Sequence, residues 1–210
     1  MDSNKERIIV SAIDLFIARG CKNTTMDQVA GAVHISKRTL YETFTDKEAL
    51  LDNCLQEILN RIGNKHREFH QITEHPLLLT LLVAQHHAQI MSKYERLIED
   101  ASNYYPELFK KRFSISYDKL VELVISLLNN ANEKGFLRPN ANLTVAAHAM
   151  VFMTEQIRKH PAFANNQRHI IISEFIFNYM RGLLSEQTII EYSKEEQHFK
   201  QIIENQHDSN

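Results

Sequence analysis

The chain has 210 residues, 43% of them hydrophobic, enough apolar material for one or two folded domains with a real core. Its formal charge of −2 and pI near 6.6 give no bulk attraction for polyanions, so any nucleic-acid affinity must come from a few well-placed cations. Its cysteines, Cys21 and Cys54, are far apart and imply no disulfide framework, and no apolar run approaches the roughly 18–20 residues of a membrane span.

With 5 glycines and 4 prolines, the chain is poor in turn formers, and helical periodicity runs through it. Ser3 to Arg19 sets Ile8, Ala12, Leu15 and Phe16 on one stripe, and Gly20 follows as a helix stop. Two short helices are predicted next, within Thr24 to Leu50. Met26, Val29, Ala30 and Val33 recur at helical spacing behind Thr25, an N-cap residue. Ser36 caps the following helix, in which Leu40 and Phe44 share an apolar face and Lys37, Arg38, Thr39, Tyr41, Glu42 and Thr43 keep to the others. A fresh N-terminus at Thr45 or Asp46 opens a helix running to about His70. Pro76 starts PLLLTLLVAQHHAQIM, apolar nearly all round in its first turns and hence central. A shorter helix is expected over Lys93 to Asn103, and Pro106 stands at the first position of a helix that stops at Gly135. Asn142 caps a helix that Pro161 ends, Arg168 to Ser185 is the last strong pattern, and 186–210 can extend as a helix carrying Ile189, Ile190, Phe199, Ile202 and Ile203.

The pair of short helices is informative about function. A helix with cations and hydrogen-bonding groups outward, braced by a crossing helix, is the helix-turn-helix arrangement, whose second helix enters the major groove. Cations and acids over residues 1–50 nonetheless balance, seven against seven.

The same residues carry a family resemblance. Ala12, Leu15, Phe16 and Gly20 come first, then Thr24-Thr25-Met26 and Val29-Ala30. Ile35-Ser36-Lys37, Thr39-Leu40-Tyr41, Phe44 and Lys47-Glu48-Ala49-Leu50 follow in order. On these residues, Lys5 to Leu50 resembles the DNA-binding domain of the tetracycline-repressor-like (TetR) family of bacterial transcription regulators. One position departs: the family usually has glycine in the inter-helix turn, and this chain has His34. If the turn needs positive φ there, histidine is among the better-tolerated substitutes, at some strain.

The resemblance implies an all-α fold, with a three-helix helix-turn-helix DNA-binding domain over 1–47 and a helical ligand-binding and dimerisation domain over 48–210. It places Lys37, Thr39 and Tyr41 against backbone and base edges, with Thr25, Ser36 and Lys47 at phosphates. Glu42 and Thr43 fall where individual specificity varies. Arg38 has the fork to read guanine, and Glu42 can accept from a cytosine amine. Helices 142–160 and 168–185 have apolar faces in excess and are assigned to a homodimer interface. Polar groups set in apolar helices mark candidates for an effector cavity: His86, Tyr94, Tyr117, His148, Met150 and Gln156, walled by Phe113 and Met153.

Nothing in the sequence forms a catalytic constellation, so no enzyme activity, cofactor or metal is expected. His66 and His70 lie one turn apart, and a single Glu195-x-x-His198 falls short of the two such motifs of a di-iron bundle. The expectation is a cytoplasmic homodimer, off the membrane, that binds a near-palindromic operator in double-stranded DNA as a repressor responsive to a small-molecule effector. The alternatives are a DNA-binding regulator without a ligand and a helical protein–protein adaptor.

Overall fold

A computed structural model of the protein describes residues 3–163, 168–190 and 193. Its helices are α1 (Ser3–Arg19), α2 (Met26–Ala32), α3 (Lys37–Thr43), α4 (Lys47–Ile72), α5 (Pro76–Lys93), α6 (Glu95–Tyr104), α7 (Pro106–Glu133), α8 (Leu143–Lys159) and α9 (Arg168–Arg181), with a 3₁₀ turn at Pro161–Phe163. No described helix is long and apolar enough to cross a membrane.

Local chemistry sets most of the ends. Gly20, at φ 84°, and Gly135, at φ 74°, stop α1 and α7 in the left-handed conformation that costs glycine least. Asp46 Oδ1 accepts from the Ala49 N–H at 2.7 Å, and Asn142 Oδ1 accepts from that of Val145 at 3.0 Å, so both residues cap the helices that follow. Two ends differ from expectation. The short helix begins at Glu95 because α5 continues through Lys93. The last strong helix ends at Arg181 instead of Ser185, because Arg138 N–H donates to Leu183 O and Ser185 N–H to Phe136 O, both at 2.9 Å. Those bonds draw residues 183–185 into an antiparallel bridge, Leu137 to Leu184. Residues 186–190 and Ser193 are helical, whereas Glu195, His198, Phe199, Ile202 and Ile203 lie outside the described residues.

The chain divides into two compact units, Met1–Asn64 with Ile90–Tyr117 and Lys65–Gln89 with Asp118–Asn210, so α4, α5 and α7 each contribute to both. The helix-turn-helix therefore shares its packing unit with α6 and the first half of α7. In this unit Ile8, Ala12, Phe16, Val29, Leu40, Leu50, Leu55, Ile58, Leu97 and Ala101 form a continuous core. Burying each large member contributes about 1.5–3 kcal/mol. Cys21 and Cys54 are fully enclosed in it, and burial pushes the Cys21 thiol up to about 12, so it packs as a small apolar group.

Polar ties fasten the later helices to the earlier ones. Arg96 of α6 donates to the carbonyls of Ala18, at 2.6 Å, and Arg19, at 3.0 Å, satisfying the end of α1. Asp100 accepts from the Cys21 N–H. A Cβ on Gly20 would lie 2.6 Å from the Asp100 carboxylate, so the clamp as well as the positive φ requires glycine there. Arg112 of α7 binds both carboxylate oxygens of Asp52 and the amide oxygen of Gln56 on α4. The Arg112 hydrogen bonds hold the Asp52 carboxyl below the usual carboxylate range.

The second unit is built around α5. Leu77, Leu78, Leu79, Leu81, Leu82 and Val83 are all buried, as the all-round apolar pattern predicts, in one core with Val124 and Leu128 of α7, Ala147 and Met150 of α8, and Ile172, Ile176 and Met180 of α9. At the margin of this core the rings of His66, Phe69 and His86 meet. His86 lies edge-on to His66 at 5.8 Å and to Phe69 at 5.7 Å. Burial, reinforced by neighbouring cationic groups, lowers both histidines to about 4.

A stability consequence follows for pH. Below about pH 6.5 the unfolded chain takes up protons on these two imidazoles, while the folded chain refuses them until about pH 4. Stability supplied by keeping them neutral is present above that window and is lost as pH falls through it. The melting temperature should therefore drop between pH 6.5 and pH 4, and His86→Gln should flatten part of that slope in calorimetric scans.

Candidate nucleic-acid interface

The interface is built from the turn outward. Helix α2 opens with a capping box in which the Thr25 hydroxyl accepts from the Gln28 N–H at 3.3 Å and the Gln28 side chain accepts from the Thr25 N–H at 2.9 Å. It closes with His34 N–H donating to Gly31 O at 3.2 Å and Ile35 N–H to Ala30 O at 3.0 Å. That pair of bonds is a Schellman closure, which needs a left-handed residue between the helices. His34 supplies it at φ 56°.

Helix α3 has only seven residues. Ser36 Oγ accepts from the Thr39 N–H at 3.1 Å and caps it. Leu40 and Phe44 are buried in the first unit and fix which way the helix faces. The opposite side presents Lys37, Arg38, Tyr41 and Glu42, all exposed, with Tyr41 at 49%. Thr39 and Thr43 are half-buried: the Thr39 hydroxyl bonds that of Ser36 at 2.9 Å, and the Thr43 hydroxyl donates to Thr39 O at 2.9 Å. Arg38 Nε pairs with Glu42 Oε1 at 2.8 Å, and Lys37 pairs with Asp27 on α2. Lys47 is half-buried and donates to Lys22 O at 3.3 Å, and burial lowers its pKa.

All nine DNA-contact candidates thus stand on one short stretch. Their outward residues cluster on the side of α3 away from the core. Sequence reading missed Gln28, whose spacing three residues after Thr25 is the capping-box signature, and Asp27, whose pairing with Lys37 has no local signal.

The effector candidates divide between the two units. Tyr94 is buried in the first unit, where its hydroxyl accepts from Arg61 Nη1 at 3.2 Å, and Phe113 stacks on Phe109 at 4.6 Å. Tyr117 is 36% exposed. In the second unit Met150 lies in the core, whereas His148, Met153 and Gln156 face outward on α8. His86 differs from these: among the described residues its buried Nδ1 has no hydrogen-bond partner, and the same holds for Nε2 of His66 and Oε1 of Gln85. A groove of ≈ 400 Å³ along α7, lined by Glu122, Ile125, Ser126, Asn129, Asn130 and Glu133, takes in none of the candidates. Among the described residues no group of three or more His, Cys, Asp or Glu could hold a metal ion.

Comparison with known proteins bears on this arrangement. Residues 8–54 match the family model described as bacterial regulatory proteins, tetR family. The HTH-type transcriptional repressor KstR2 of Mycobacterium tuberculosis is 26% identical over 154 residues, covering 68% of this chain and 74% of that protein. A transcriptional regulator from Cytophaga hutchinsonii aligns with a TM-score of 0.74 at 19% identity, covering 88% of this chain and all of that one. A gamma-butyrolactone receptor (ArpA-like protein) aligns at 0.67 and 17%, covering 95% and 97%. At such identities these two structures share the fold.

The left-handed histidine yields a direct test of the turn. His34→Gly should raise stability by about 0.5–1 kcal/mol in denaturant titrations, because glycine adopts positive φ without the Cβ clash. Its effect on duplex binding should be small, since Leu40 and Phe44 still seat α3.

Proposed function

We infer that this chain, whose residues 8–54 match the model of the tetR family of bacterial regulatory proteins, is a DNA-binding repressor of transcription that acts as a homodimer in the cytoplasm and releases its operator when a small molecule binds. The observation that carries this reading is α3, held from beneath by Leu40 and Phe44 with Lys37, Arg38, Tyr41 and Glu42 directed outward. Two such helices fit successive major grooves about 34–36 Å apart. Arg38 and Glu42 then address base edges, while Thr25, Ser36, Tyr41 and Lys47 hold the phosphate backbone and set the register.

The dimer reading is supported by α8 and α9. Val145, Phe152 and Met153 are 60%, 53% and 40% exposed along one face of α8, and Ile170 at the start of α9 is 49% exposed. An apolar face of this kind is costly in water and is covered economically by a second copy. The effector reading is supported by the second unit, where His86 and Gln85 have buried polar atoms with no partner among the described residues, groups a ligand can satisfy. A ligand preferring one conformer would shift DNA affinity by its differential binding, typically about 1–3 kcal/mol.

Selection of bound sequences from a random duplex pool tests the proposal. Enrichment of a near-palindrome with half-sites one helical turn apart is expected. Tyr41→Ala and Lys47→Gln should weaken binding to every sequence, whereas Arg38→Ala and Glu42→Ala should alter the motif. Failure to enrich any motif at low and moderate salt would refute the DNA reading. In sedimentation, Phe152→Asp should convert a dimer to monomer and lower affinity for the selected duplex. A wild-type monomer at micromolar concentration would refute the dimer.

A further inference from the structure

Both cations of α3 have carboxylate partners within the chain. Arg38 is paired with Glu42 one turn along the same helix, where the carboxylate shares the outward face and can itself meet a base. The partner of Lys37 is of another kind. Asp27 belongs to α2, outside the reading helix, and its exposed carboxylate reaches across the turn to the Lys37 ammonium.

Charge over residues 1–50 sums to zero, so the unit has no surplus of cations to hold it on DNA. Sequence-independent binding is almost wholly the release of counterions by cations that meet phosphates, and each added contact steepens the salt dependence by about 0.9 in the log–log slope. A lysine already neutralised by a carboxylate releases no counterion until that pair is broken.

We propose that Asp27 is an intramolecular counter-anion for the DNA interface: by occupying Lys37 it weakens sequence-independent DNA binding and so raises the ratio of operator to non-specific affinity. The proposal rests on the DNA-binding reading above and adds to it a specificity determinant that touches no base. Glu42 acts on the base-reading face. Asp27 acts through Lys37 alone.

The test uses the full-length protein and a labelled 30-base-pair duplex of random sequence, titrated at several salt concentrations. Asp27→Asn should bind this duplex about 3–10-fold more tightly at low salt, with a slope steeper by about 0.9. Asp27→Ser should do the same, and matching circular dichroism and melting curves should show both variants folded. In a Lys37→Gln background the gain should vanish, so that Asp27→Asn combined with Lys37→Gln binds the random duplex no more tightly than Lys37→Gln alone. Unchanged or weaker binding by both Asp27 variants overturns the proposal, and so does an equal gain in the Lys37→Gln background, which would mean that Asp27 repels phosphate without Lys37. A wild-type protein that binds no duplex at low salt would overturn the DNA reading beneath it, an outcome distinct from both.

Discussion

The structure of the DNA-facing unit depends on seating a helix too short to exist alone. Seven residues give α3 two turns, far below the length at which an isolated helix persists in water. Ordering each of its residues costs about 1–2 kcal/mol of backbone entropy. Burial of Leu40 and Phe44 returns about 1.5–3 kcal/mol each, and the Ser36 cap about 1. Summed over seven residues the cost exceeds these gains, so α3 holds its shape only while its floor does. That floor is the core shared by α1, α2, α4 and α6, and the direction in which Arg38 and Tyr41 point is a property of this core.

The floor is in turn tied to helices that come later in the chain. Arg96 and Asp100 grip the junction between α1 and α2, and Arg112 grips α4 through Asp52 and Gln56. The Asp100 and Arg112 bonds are charge-assisted and part-buried, stronger and more directional than the exposed pairs on α3. Helices α4, α5 and α7 then continue covalently into the second unit. A rearrangement of those helices on ligand binding would act on the support of α3 and leave its outward residues intact, which is how a regulator can lose its operator without losing its reading chemistry.

What the sequence disclosed was whatever local chemistry decides. Helix ends at Gly20, Thr25, Ser36, Asn142 and Gly135 were legible because each is a one-turn decision, and α5 was legible as central because it is apolar on every side. His34 stood out against the family pattern, and its positive φ is the reason that pattern carries glycine. Contacts between distant residues were not legible. The bridge that ends α9 at Arg181 joins Leu184 to Leu137, and the partner of Lys37 is fixed by the crossing of two helices. Nor was the burial of each effector candidate legible, because polarity within an apolar helix does not say which face it occupies. Tyr94 proved to be a core residue with its hydroxyl engaged by Arg61, and His148 and Gln156 proved to be outward-facing.

The most direct measurement of the central claim is a titration of isotope-labelled protein with its selected duplex, followed by backbone amide NMR shifts. The large shifts should fall on residues 36–47 and around Thr25, with the buried amides of Leu40 and Phe44 moving little and the second unit responding only weakly. Shifts concentrated outside the first unit, or none near α3 at saturating duplex, would contradict the assignment of α3 as the element that reads DNA.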